Sequence, residues 1–238
     1  MVQMMKNKQA LLITIFSIAA CALHAIMLQT RFNSYLYTSA FKVFIFILCP
    51  YIYFKVAKKG KFEDLTALFS MHGDRKNIRH ALLMGLGVIT LIVAAFTILL
   101  PFLDSVYIDD ALADIGITAG NAFFVAIYIV VINAALEQFF FRGFAFMSLY
   151  RMGLKRYAHA FSALLFSFYH IPILFGAVTP GILVLCTVGL VAAGLIFNYL
   201  AVRFRSITGS LIVHISANLA LILMIGWHFV LEIGTTAN

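Results

Sequence analysis

Seven apolar runs of about 20 residues occupy most of the chain, near 9–27, 36–54, 81–101, 121–150, 159–175, 180–200 and 207–231. A helix rising ~1.5 Å per residue needs about 20 residues to cross a ~30 Å hydrocarbon layer, so each run is long enough to span a bilayer. Inside lipid the backbone has to satisfy its own hydrogen bonds, which restricts such a chain to helices. Composition agrees: 63% of the 238 residues are hydrophobic, 11% are charged and the mean hydropathy is +1.02. The expected fold is all-α, a polytopic transmembrane bundle of about seven spans. No Pro/Gly/Ser linker, repeat or low-complexity tract divides residues 1–238, so the bundle is expected to be one integral membrane domain. The run at 121–150 has length to spare for a tilt, a kink or a re-entrant end.

The net charge of +8 is distributed as membrane topology requires, rather than as a nucleic-acid surface. Of 17 Lys and Arg residues, 14 fall in four groups: Lys6 and Lys8; the seven from Lys55 to Arg79; Arg151, Lys155 and Arg156; Arg203 and Arg205. A cytoplasmic N-terminus puts all four on the cytoplasmic side and leaves the acidic stretch LDSVYIDDALAD outside. The C-terminus is then outside as well. Phe62, Leu65, Leu68 and Phe69 recur at helical spacing in the polar 55–80 segment, which lies on the inner leaflet or forms a solvated loop. The N-terminal stretch MMKNKQALLITIFSIAACALHA also has the build of a signal peptide with a lipobox-like end at Cys21, but the short loop to the next apolar run favours a first span. Cys21, Cys49 and Cys186 all fall within spans and indicate neither a disulfide nor a CxxC metal site.

Polar residues deep in the spans are the functional signal, because a mid-membrane charge costs roughly 2.5–3.5 kcal/mol even on the lenient insertion scale. Lys42 is near enough to the outer end of its span to snorkel, and His24 and His228 sit near outer ends, so membrane position accounts for these three. Glu137, Gln138, Arg142, His170, His214 and Asn218 have no such explanation. Counting ~1.5 Å per residue from the nearest cytoplasmic basic group puts them on three helices in one slab, about 14–21 Å deep. Glu137 and Arg142 are five residues apart, about 140° around an ideal α-helix, and cannot form a simple same-face pair. His214 and Asn218, at i and i+4, share one face and present donors suited to an oxyanion.

The three segments EQFFFR (137–142), FSFYH (166–170) and HISAN (214–218) resemble, in order, the EExxxR, FxxxH and HxxxN motifs of the CAAX-protease and bacteriocin-processing family of intramembrane proteases, also called the Abi family. The resemblance covers the C-terminal half, with the protease-like core expected at 121–231. It implies that Glu137 is the general base activating water, that His170 helps to position that water, and that His214 and Asn218 stabilise the oxyanion. Arg142 is implied as a structural or electrostatic support. The implied chemistry is peptide hydrolysis by glutamate-activated water, with no metal and no other cofactor. It is coherent, since a desolvated carboxylate is a stronger base where nearby cations keep it ionised.

One position departs from the family pattern: Gln138 stands where a second glutamate is usual, and an amide cannot act as a base. The alternative is therefore a proteolytically inactive membrane scaffold or regulator of a partner protein. Two other readings use the same residues. Glu137, His170 and His214 supply enough ligands for a zinc ion, although no HExxH helix is present. The same groups suit a proton relay in a transporter, although paired Gly/Pro-broken helices are lacking. The expectation is a multi-pass protein of the bacterial plasma membrane whose partners are the lipid bilayer, a peptide or membrane-protein substrate cut near the cytoplasmic half, and, if any, a further protein chain, with no nucleic acid. Bacteriocin processing or immunity is among the roles the resemblance implies, and a prenylated CAAX substrate is not assumed.

Overall fold

The structure, a computed structural model, describes residues 2–30, 34–55, 75–99, 117–118, 120–175 and 178–236, leaving aside the side chains of 2–6, 75–76, 225 and 227–236. As far as they are described, the apolar runs each correspond to one helix: α1 Val2–Leu28, α2 Tyr35–Tyr53, α3 Arg75–Leu99, α4 Ala122–Arg151, α5 Lys155–Leu174, α6 Pro180–Phe204 and α7 Thr208–Thr236. Among the described residues six helices are long and apolar enough to cross a membrane, and the seventh contributes an apolar stretch at Thr208–Met224. The protein is a multi-pass helical bundle. The acidic stretch 103–114, the spacing of Phe62, Leu65, Leu68 and Phe69, and the surroundings of His228 lie outside the described residues.

Local sequence explains several helix ends. Pro180 stands at the first turn of α6, where its missing N–H leaves no bond unmade. Arg205 closes that helix in the left-handed region at φ 52°. Gly153, at φ 92°, turns the chain between α4 and α5, a conformation that strongly favours glycine.

Lipid is as apolar as leucine, so packing and hydrogen bonds, not hydrophobic burial, hold such helices together. The core is aromatic: Phe46 of α2 stacks on Phe140 of α4 at 4.0 Å, and Phe141 meets Phe46, Phe166 and Tyr169 edge-on or tilted. Two of the three phenylalanines in EQFFFR, Phe140 and Phe141, are thus fully buried core residues. Helices α5 and α6 approach so closely at Gly194 that a Cβ there would lie 2.8 Å from Ala163 Cα. Helix α7 packs along α3, α4 and α6, while α1 and α2 close over α4 and α5 from the other side.

The spare length expected in the fourth run takes a specific form. Helix α4 is continuous, but Tyr128–Asn133 and Gln138–Phe146 are π-helical and flank a single α turn, Ala134–Glu137. Each π segment widens the helix and re-aims its side chains, and neighbouring helices engage its carbonyls. Asn218 Nδ2 donates to Ile129 O at 2.9 Å in the first segment, and Ser162 Oγ donates to Phe141 O at 3.0 Å in the second.

Candidate active site

The α turn between the π segments aims Glu137 inward, where it is 2% exposed. Its two carboxylate oxygens have different surroundings. Oε1 accepts from Lys42 Nζ of α2 at 3.2 Å and from Asn133 Nδ2, one turn earlier on α4, at 3.1 Å. Lys42 Nζ also donates to Asn133 Oδ1, closing a three-membered polar ring. Among the described residues Oε2 makes no direct hydrogen bond; it faces His170 Nε2 of α5 at 3.8 Å and His214 Nε2 of α7 at 3.7 Å.

Each imidazole is oriented by its other nitrogen. His170 Nδ1 lies 2.7 Å from Phe166 O; a carbonyl only accepts, so Nδ1 carries the proton. In the neutral ring, Nε2 then presents a lone pair towards Oε2 of the carboxylate. Two acceptors at this separation are satisfied by one shared donor, and water has two protons to offer. His214 Nδ1 lies 3.0 Å from Gln138 Nε2, an amide nitrogen that only donates. His214 Nδ1 is therefore the acceptor, and its proton sits on Nε2, the atom facing the carboxylate.

Arg142 is fully buried, yet it makes no ion pair among the described residues. Its guanidinium lies over Phe166 at 4.2 Å and over Phe197 at 4.9 Å, and Nη2 donates to Gly194 O at 3.4 Å. The same two rings flank the histidines: Phe166 meets His170 edge-on at 4.6 Å, and Phe197 stacks on His214 at 5.2 Å. Arg142 thus supports the wall behind both imidazoles and does not hold Glu137 directly.

Of the residues singled out in the sequence, Glu137, Gln138, His170 and His214 come together, with Arg142 behind them. Asn218 stands one turn from His214 on α7, but its amide is spent on Ile129 O. Replacing it with leucine is expected to lower stability by about 0.6 kcal/mol, the usual size of an interhelical hydrogen bond in a membrane, read from thermal unfolding of the purified protein.

Two expectations are corrected. Lys42 does not snorkel to the membrane surface: α1 and α2 pack inward on α4 and α5, and Lys42 is 7% exposed with its ammonium on Glu137. His24 is likewise not interfacial; it is 3% exposed, 5.3 Å from Tyr169 and 6.4 Å from Phe46. Asn133 was visible four residues before Glu137, at same-face spacing. Lys42 had a weaker signal, a single cation in the otherwise apolar run 36–54. Among the described residues no group of three or more His, Cys, Asp or Glu side chains has the arrangement of a metal site.

Fold and site together define a class, a polytopic helical membrane protein with a buried glutamate–histidine centre. Residues 119–220 match the family model for Rce1-like proteins, described as type II CAAX prenyl endopeptidase Rce1-like. That model falls within the CAAX-protease and bacteriocin-processing family, a family of proteases, and the likeness is confined to this segment. The match takes in Glu137, Gln138, Arg142, His170, His214 and Asn218, and it leaves Lys42 outside. No curated protein and no solved structure matches the chain.

Proposed function

We propose that the protein is an intramembrane endopeptidase that hydrolyses a peptide or membrane-protein substrate with water activated by Glu137. The observation that carries this reading is Glu137 Oε2, without a direct hydrogen bond among the described residues and facing His170 Nε2 and His214 Nε2 from two other helices. A water bound there donates one hydrogen bond to Oε2 and the other to the His170 lone pair. As its oxygen attacks the scissile carbonyl carbon, Glu137 takes the proton. The negative charge that gathers on the carbonyl oxygen is met by the Nε2–H of His214, while Asn218, one turn away, donates to Ile129 O. Collapse of the tetrahedral intermediate breaks the C–N bond, and protonated Glu137 returns its proton to the leaving amine.

The reading is metal-independent. The Lys42 ammonium beside Oε1 already supplies positive charge to the carboxylate and would repel a divalent ion at the same group. A bacterial plasma-membrane setting, and a role in peptide maturation or bacteriocin immunity, belong to the same proposal and rest on the family resemblance.

Gln138 is compatible with activity under this mechanism. As a donor to Nδ1 it leaves His214 protonated at Nε2, whereas a glutamate reaches the same result by pairing with an imidazolium. Gln138→Glu is therefore expected to cleave within a few-fold of wild type, and Gln138→Leu, which cannot set the proton's position, to lose on the order of 10²-fold.

The test compares new protein N-termini in membranes of cells carrying wild type, Glu137→Ala, Gln138→Glu or Gln138→Leu at matched expression. N-termini present in wild type and lost in Glu137→Ala support proteolysis and identify substrates. Identical profiles in wild type and Glu137→Ala, alongside a phenotype on deletion, would refute it in favour of a scaffold.

A further inference from the structure

We infer that Lys42 is a positioning residue of the active site, fixing the Glu137 carboxylate through Oε1 so that Oε2 alone faces the two histidines. The inference rests on the protease reading and adds a residue from α2, outside the segment that carries the family match.

Three observations support it. Lys42 is 7% exposed in an apolar run, a costly place for an ammonium unless it is paired. Its partners are Glu137 Oε1 at 3.2 Å and Asn133 Oδ1, and Asn133 in turn donates to the same Oε1, so both donors hold one oxygen and leave the other. The ring of Tyr169 lies 5.5 Å below the ammonium, completing a site for a cation from aromatic and anionic faces.

The consequence is chemical. A carboxylate in an apolar site is free to rotate about its terminal torsion and to share a proton; an ammonium on one oxygen suppresses both. Lys42 engages one oxygen and leaves the other to accept a proton, which halves the ways in which water can bind. The site is thus a composite of the N-terminal helices and the motif-bearing helices α4, α5 and α7.

The test uses the full-length protein with Lys42→Met, Lys42→Gln and Lys42→Arg beside wild type and Glu137→Ala. Two signals are read: the abundance of Glu137-dependent N-termini in membranes, and the infrared band of the Glu137 carboxylate, isolated as wild type minus Glu137→Gln. Lys42→Met is expected to lose cleavage on the order of 10²-fold, the scale of a misplaced catalytic group, and to displace the band. Lys42→Arg, which keeps the charge, is expected to restore most of both. A purely packing role predicts an unmoved band and no rescue specific to arginine. Lys42→Gln, one atom shorter, keeps a donor while removing the charge, so it decides the matter if Lys42→Met fails to accumulate.

Wild-type cleavage and an unmoved band in folded Lys42→Met or Lys42→Gln overturn the inference. If wild type itself yields no Glu137-dependent N-termini, the protease reading falls and this one with it. That failure is distinct from the failure of Lys42 alone, in which wild type and Lys42→Met cleave equally.

Discussion

Glu137→Gln is expected to reduce the Glu137-dependent N-termini by 10²- to 10⁴-fold, the usual range for loss of a general base. The substitution keeps the shape of the side chain and an oxygen able to accept from Asn133, but an amide takes no proton from water. It also has a predictable cost in stability. The Lys42 ammonium loses its counter-charge while remaining buried, and breaking one side of a buried pair costs about 3–5 kcal/mol. Replacing both partners is milder, since neither charge is then left unpaired. The double variant Lys42→Met/Glu137→Gln is therefore expected to melt closer to wild type than Glu137→Gln does, while remaining inactive. Thermal unfolding in detergent together with N-terminal profiling separates the two effects, and a single variant that melts like wild type would contradict the ion pair.

Gly194→Val is expected to damage both fold and activity. An added Cβ would lie 2.8 Å from Ala163 Cα and 3.3 Å from its carbonyl oxygen, so α5 and α6 have to separate. Overpacking of this kind costs about 1–3 kcal/mol or more, and here the obstacle is backbone, which yields less readily than a side-chain end. The separation also moves the Gly194 carbonyl that accepts from Arg142, and with it the Phe166 and Phe197 wall behind His170 and His214. A lower melting temperature accompanied by reduced cleavage is the expected result. Gly181→Ala, on the same helix with nothing within 4 Å of the added Cβ, is expected to leave both unchanged.

The interior placement of Glu137, His170 and His214 follows from reasoning that needs no coordinates. A carboxylate in an apolar run is too costly to face lipid, and depth counted from the cytoplasmic basic groups puts all three residues at similar heights. Two assignments did not follow from sequence. Lys42 was explained by its distance from a membrane end, because a sequence gives the depth of a lysine but not its direction. Asn218 was grouped with His214 by its i, i+4 spacing, yet its amide meets the Ile129 carbonyl, in the part of α4 that is π-helical at Tyr128–Asn133. Neither π segment announces itself: YIVVIN and QFFFRGFAF read as ordinary apolar helix, and the side chains that meet their carbonyls, Asn218 and Ser162, come from other helices.

By itself the sequence determined a helical membrane bundle, its seven apolar segments and the three motifs that carry the acid and the imidazoles, because hydropathy and residue order are properties of the chain alone. Tertiary packing decided which oxygen of Glu137 is held and which is presented, where the His214 proton lies, and that Lys42 joins the site while Arg142 stands behind it. Those outcomes depend on the direction of side chains across helices that are distant in sequence, and a spacing along one helix carries no information about the helix that faces it.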